Sequence, residues 1–155
     1  MYFDIHEMEL INKAISKYPE KKAALLDILH IVQDKELHIS DDASKAISEI
    51  LEMPKKDVDG VVSFYTMFTT KPRGKHHIQV CTNVSCMLMK GKELFEYVSN
   101  KTGLKNNETS ADGLYSLEEV ECMGACGSAP MIAVNERYYD NVSKEVFDTI
   151  FDSLI

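Results

Sequence analysis

The spacing of apolar residues changes character near residue 75. Before it, apolar positions recur three and four apart, the period of a helix with one buried face. Residues 7–17 carry Leu10, Ile11, Ala14 and Ile15 on such a face. Pro19 suits the first turn of a second helix, where a missing N–H costs nothing, and Leu25, Ile28, Leu29 and Val32 supply its apolar side. Ser40 is placed to cap a third helix, with Asp41 and Asp42 at its positive end. Ala43, Ala46, Ile47, Ile50 and Leu51 form the stripe of that helix. Pro54 opens a fourth, with Val58, Val61, Val62, Tyr65 and Phe68 facing inward. The run KPRGK, residues 71–75, breaks the period and reads as a linker.

Beyond the linker, strand-like and helix-like segments alternate. His77, Ile78, Gln79 and Val80 predict a short strand ending at Cys81. Residues 90–101 predict a helix with Leu94, Phe95 and Val98 inside and Gly103 near its end. Asp112 and Gly113 signal a turn, followed by a strand through Tyr115, Leu117 and Val120 toward Cys122. MIAV, NE and RYY, residues 131–139, read as a hairpin. Ser143 caps a last helix whose face is Val146, Phe147, Ile150, Phe151 and Leu154. The expected class is α+β: a small helical bundle over residues 1–74, then a thioredoxin-like α/β domain over residues 75–155 with order β-α-β-β-β-α.

Composition narrows the function. Among 155 residues, 25 are acidic and 17 basic, a net charge of −8. Non-specific nucleic-acid binding needs the opposite balance, so no nucleic-acid partner is expected. No apolar run approaches the ~18 residues of a membrane span, so no membrane insertion is expected. The acidic start, MYFDIHEME, has neither a basic n-region nor the Arg-rich look of a transit peptide. The expected location is cytoplasmic, or the mitochondrial matrix for a processed eukaryotic chain. No G-x-G-x-x-G joins a strand to a helix, so hydride transfer by this chain alone is not expected.

All four cysteines lie past residue 80, as CTNVSC (81–86) and CMGAC (122–126). Each pair follows a predicted strand. In a parallel arrangement, Cys81, Cys86, Cys122 and Cys126 would emerge at one sheet end. Disulfides are disfavoured in a reducing compartment. A thioredoxin-like dithiol needs C-x-x-C, which neither spacing provides. Structural zinc prefers C-x₂₋₄-C pairs and stays open, as a zinc-stabilised interaction module. Four unrelated buried cysteines would not explain two pairs. A two-iron cluster with two thiolates per iron fits best, since the sequence has neither the plant-type nor the bacterial four-iron spacing. Gly124 and Gly127 permit a tight loop presenting N–H groups to the sulfurs. Met87, Leu88, Met89, Met123, Ala129 and Met131 suit either an apolar shell around the cluster or plain core packing. His76 and His77 are expected at a solvated strand start.

These residues resemble the thioredoxin-like [2Fe–2S] ferredoxin subunit of NADH:quinone oxidoreductase, the respiratory complex I. The resemblance is carried by VDGVVSFYTMF (58–68) with PRG (72–74), by CTNVSC (81–86) with Gly91, by ETSADG (108–113), and by ECMGAC (121–126) with AP (129–130). It is continuous from about residue 46 onward. It implies one [2Fe–2S] cluster on Cys81, Cys86, Cys122 and Cys126, and electron transfer rather than catalysis by the isolated chain. The implied partner is a larger subunit that binds FMN and NADH, together with further complex I subunits. The whole would be peripheral on the cytoplasmic side of the membrane. NAD-linked hydrogenases and formate dehydrogenases use similar subunits. Met123, Asn107 and Tyr115 stand where that family often has Leu, Gly and Phe; none is a cysteine ligand.

Overall fold

A computed structural model describes residues 2–154. The chain divides into two compact units, Met1–Pro72 and Arg73–Ile155.

The first unit holds four α-helices: α1 (Ile5–Ile15), α2 (Leu25–Glu36), α3 (Asp41–Ile50) and α4 (Lys55–Phe64). Asp4 starts α1 with a capping box. Its Oδ1 accepts from the Glu7 N–H at 2.8 Å, and its own N–H donates to Glu7 Oε2 at 2.8 Å. Lys35 from α2 reaches both carboxylates at 2.9 Å, which explains how Glu7 is tolerated in a buried position. The Lys35 contact and the Glu7 N–H hold Asp4 down to about 2, and the two carboxylates hold Lys35 up to about 12. Ser40 caps α3 through the Ala43 N–H at 3.1 Å. Ile11, Ile28, Leu29, Val32, Ile47, Leu51 and Val58 meet in the core of this unit.

The periodicity misplaces some positions here. Leu10 is exposed, since α1 turns only Ile11, Ala14 and Glu7 fully inward. Pro19 precedes the helical segment instead of entering it: a 3-10 turn, Lys21–Ala24, comes first and α2 starts at Leu25. Helix α4 stops at Phe64, so Tyr65 and Phe68 lie in the turn beyond, although Phe68 is still buried.

The second unit is a five-stranded mixed sheet in the order β2-β3-β1-β4-β5. Its elements are β1 (His76–Cys81), α5 (Val84–Leu88), α6 (Gly91–Thr102), β2 (Glu108–Thr109), β3 (Tyr115–Val120), β4 (Ile132–Val134), β5 (Arg137–Tyr139) and α7 (Lys144–Asp152). Strand β1 is parallel to β3 and antiparallel to β4. Ile78 and Val80 alternate with His77 and Gln79, and the register puts Leu117, Ile132 and Val134 on the apolar side. Leu94 and Val98 of α6 and Phe147 and Ile150 of α7 complete that core. The α+β class with a thioredoxin-like second half is what the molecule shows. Val146 of α7 is exposed, outside the face expected for it.

The other side of the sheet carries a polar network. His77 Nδ1 lies 2.8 Å from Ser116 Oγ, and its Nε2 lies 2.9 Å from Glu118 Oε2. Gln79 donates to the same carboxylate at 3.1 Å, and the Arg73 guanidinium stands 3.7 Å away. The His77 contact, with Gln79 and Arg73 adding to it against burial, holds Glu118 below the usual carboxylate range. His77 is therefore buried, not solvated as its place at a strand start suggested. Gly74 lies so close to the neighbouring strand that a Cβ there would overlap the Tyr115 and Ser116 backbone.

Candidate metal centre

The parallel pairing of β1 with β3 sets the site. Cys81 ends β1 opposite Val120, and the chain continues from Val120 through Glu121 into Cys122. Both cysteine pairs thus begin at the same end of the sheet. Cys81 is held in place by its N–H on the Met131 carbonyl at 3.2 Å, and its Sγ lies 3.3 Å from the Glu121 carbonyl.

Cys86 sits on α5, a five-residue helix that the sequence pattern did not announce. Asn83 caps it, its Oδ1 accepting from the Val84 N–H at 2.6 Å. The helix then gives way to Gly91 at the start of α6. There a Cβ would stand 2.7 Å from the Cys81 carbonyl oxygen and 2.8 Å from that of Cys86. Only a residue without a side chain lets α6 approach the first cysteine pair this closely.

The second pair lies on a loop. Cys122 and Cys126 have their sulfurs 3.9 Å apart. Gly124 takes φ +80°, a left-handed conformation, and this turns its N–H onto Cys122 Sγ at 3.4 Å. Cys126 opens a 3-10 turn, Cys126–Ser128, ahead of the cis Ala129–Pro130 bond.

The two pairs differ in environment. Cys81 and Cys86 are buried, with Ala129 and Met131 beside them and Val120, Met123 and Ala125 partly covering the cluster. Cys122 and Cys126 are exposed. Burial pushes the Cys86 thiol up to about 11; the hydrogen-bonded Cys81 thiol adds to the rise and the Met131 N–H opposes it. A metal-free Cys86 is therefore protonated at neutral pH, and metal entry must expel that proton.

The residues fit a metal–sulfur group in chemistry and spacing. Four thiols form a soft donor set suited to iron–sulfur clusters or zinc. Two sulfurs on one tetrahedral metal at about 2.3 Å stand about 3.8 Å apart, close to the Cys122–Cys126 separation. Among the described residues, no three His, Cys, Asp or Glu side chains close around one ion position. The four cysteines lie at one sheet end as two pairs, an arrangement that can divide four thiolates between two metal ions.

Of the apolar residues considered as a shell, Met131 and Ala129 are buried against the cysteines and Met123 packs on them. Met87, Leu88 and Met89 point outward, with Leu88 74% exposed. They are neither shell nor core, a correction to both expectations. Sequence reasoning also passed over Thr82 and Asn83, whose side chains tie the first cysteine loop to Glu119 at the end of β3 and to Glu121 beside Cys122. Asn83 three residues before Cys86 was a usable helix-cap signal, but a helix of five residues shows no period.

Comparison with known proteins sets this arrangement among relatives. The family model for the thioredoxin-like [2Fe–2S] ferredoxin matches residues 11–155. The E-type NADH-quinone oxidoreductase subunit of Rickettsia bellii (strain RML369-C) is 37% identical over 157 residues, covering 98% of this chain and 93% of that protein. The second E-type NADH-quinone oxidoreductase subunit of Rhizobium meliloti (strain 1021) is 34% identical over 145 residues, covering 94% and 86%. Among solved structures, an NAD+-reducing [NiFe]-hydrogenase in the H2-reduced state superposes with a TM-score of 0.74 at 18% identity. That match covers 84% of this chain, which spans only 22% of the hydrogenase chain, and it shows a shared fold.

Proposed function

We propose that this chain, which belongs to the thioredoxin-like [2Fe–2S] ferredoxin family, holds one [2Fe–2S] cluster on Cys81, Cys86, Cys122 and Cys126 and relays single electrons within an NADH-oxidising complex. The observation that carries the reading is the delivery of both cysteine pairs to one sheet end by the parallel β1–β3 pairing. Such a cluster, when bound, accepts and returns one electron at a time.

The protein's own residues divide the work. Cys81 and Cys86 anchor the buried side, and Met131 and Ala129 keep water from it. Cys122 and Cys126 form the exposed side, where electrons can be exchanged across a short distance with a partner. The Gly124 N–H on Cys122 offsets thiolate charge, one of the levers that set reduction potential.

Similarity to the E-type subunits of NADH-quinone oxidoreductases supports a role as one subunit of that oxidoreductase. The immediate partner in this reading is the subunit that carries FMN and NADH. Val84, Met87 and Leu88 of α5, with Met89 just after it, make an exposed apolar surface beside Cys86, which suits docking of another chain. Among the described residues no helix is long and apolar enough to cross a membrane. The reading puts the chain at the periphery of its complex, on the cytoplasmic side.

Anaerobic purification followed by iron and sulfide analysis tests the cofactor. Two of each per chain are expected, with a red-brown colour. Four irons, or one zinc in a colourless protein, would overturn the assignment. Co-expression with the flavin subunit tests the partner. A stable pair that reduces ferricyanide with NADH is expected, and no NADH oxidation by this chain alone. Turnover by the isolated chain would refute the relay role, and the subunits that co-purify name the parent complex.

A further inference from the structure

Three contacts tie the end of β1 and the loop after it to the end of β3 and the residue before Cys122. Thr82 Oγ1 donates to Glu119 Oε1 at 2.8 Å. Asn83 Nδ2 donates to Glu121 Oε2 at 3.1 Å. The Glu121 carbonyl lies 3.3 Å from Cys81 Sγ. We propose that Glu121 is a positioning residue for the metal centre: its carboxylate fixes the loop of Cys86 against the loop of Cys122 and keeps a negative charge beside the site. This rests on the two-iron reading above.

The side-chain amide of Asn83 is engaged at both ends. Its oxygen caps α5, the helix that bears Cys86, and its nitrogen holds Glu121. Glu121 is bonded directly to Cys122. One side-chain hydrogen bond therefore links a ligand of the buried pair to a ligand of the exposed pair, where the backbone route between them runs the whole way from Cys86 to Cys122. Groups behind metal ligands that fix their orientation commonly change metal retention by about 10–100-fold when removed. The charge has a separate consequence. The carboxylate is exposed, and its hydrogen bond to Asn83 favours a position next to Cys122, where its charge disfavours adding an electron to an already anionic centre. Glu121 then lowers the reduction potential as well as closing the loops.

Glutamine in place of Glu121 retains an acceptor oxygen for Asn83 and removes the charge, while alanine removes both. The full chain, loaded with its cluster, is prepared in the parent form and as Glu121→Gln, Glu121→Ala, Asn83→Ala and the double alanine variant. Midpoint potential is read by redox titration followed by EPR, and retention by the rate at which a chelator strips iron. Glu121→Gln should shift the potential upward with stripping within about twofold of the parent. Glu121→Ala should strip about tenfold faster, and Asn83→Ala, which also loses the α5 cap, at least as fast as that. The double variant should strip no faster than Asn83→Ala alone, because Glu121→Ala removes only the bond that Asn83→Ala already breaks. An unchanged potential in Glu121→Gln refutes the charge. Parent-like stripping in Glu121→Ala, or additive rates in the double variant, refutes the link between loops. Iron and sulfide content of the unsubstituted chain reads the cofactor itself, so failure of that assignment is told apart from failure of the role of Glu121.

Discussion

Substituting Gly91 by alanine puts one methyl group where the structure has no room. The new Cβ would stand 2.7 Å from the Cys81 oxygen, 2.8 Å from the Cys86 oxygen and 2.9 Å from the Cys86 carbonyl carbon. Each is about 0.6 Å or more short of a comfortable carbon contact. All three atoms are backbone, so no rotamer change relieves them; α6 must retreat or the first cysteine loop must shift. Overpacking of this kind costs about 1–3 kcal/mol, and the rigid neighbours argue for the upper part of that range. Alanine returns up to about 1 kcal/mol in helix propensity, leaving a net loss of about 1–2 kcal/mol. Gly60, inside α4 with nothing within 4 Å of its Cβ position, supplies the control. There the same change should stabilise by about 0.5–1 kcal/mol. Hydrogen exchange read peptide by peptide separates the two compact units, and iron analysis reads the site. Gly91→Ala should lower protection in β1 and α6 and reduce iron loading, since the displaced carbonyls belong to two of the cysteines. A Gly91→Ala chain within about 0.5 kcal/mol of the parent that still loads two irons would refute the close-approach argument.

Three other outcomes follow from the geometry. Cys86→Ser and Cys126→Ser should each abolish or strongly weaken the visible absorption and EPR signal, because a hydroxyl is a poor match for iron beside thiolate; retention of a full cluster in either would remove that residue from the ligand set. Asp4 has its folded pKa depressed to about 2 from 3.8, so its stabilisation of α1 is fully present above about pH 4 and lost as pH falls toward 2. In Asp4→Asn that acid dependence should disappear from the first unit, with parent and variant converging near pH 2 by circular dichroism; curves that stay parallel across that window would deny the Lys35 and Glu7 contacts their role. The chain from residue 73 onward, which contains every cysteine and one complete core, should assemble a cluster by itself; a soluble, folded fragment that binds no iron would show that the helical unit is needed for assembly.

Long periodic segments were legible because their signals are local. Ser40 and Ser143 cap the helices expected of them, and the stripe of α2 is the stripe that is buried. In α3, Ala43, Ile47 and Leu51 are buried, while Ala46 and Ile50 are only partly covered and Ser44 and Ser48 turn inward instead. The shared sheet end of the two cysteine pairs was also legible, since each follows a strand and the two strands run parallel. What escaped is shorter than a period or depends on distant partners. Helix α5 has five residues and β2 has two. His77 is buried only because Ser116 and Glu118, some forty residues away, satisfy both ring nitrogens. Met87, Leu88 and Met89 expose a further limit: hydrophobicity marks a residue that prefers to leave water, but not whether its own chain supplies the cover. Val84, Met87, Leu88 and Met89 bracket Cys86, and all four face outward. Departures from local rules tend to gather at functional sites, where a chain accepts a poor solution alone for a better one in company. Here the departure lies on and just after the helix that carries Cys86, a proposed ligand. In the proposed relay, a surface of that kind suits a partner that comes close enough to take an electron.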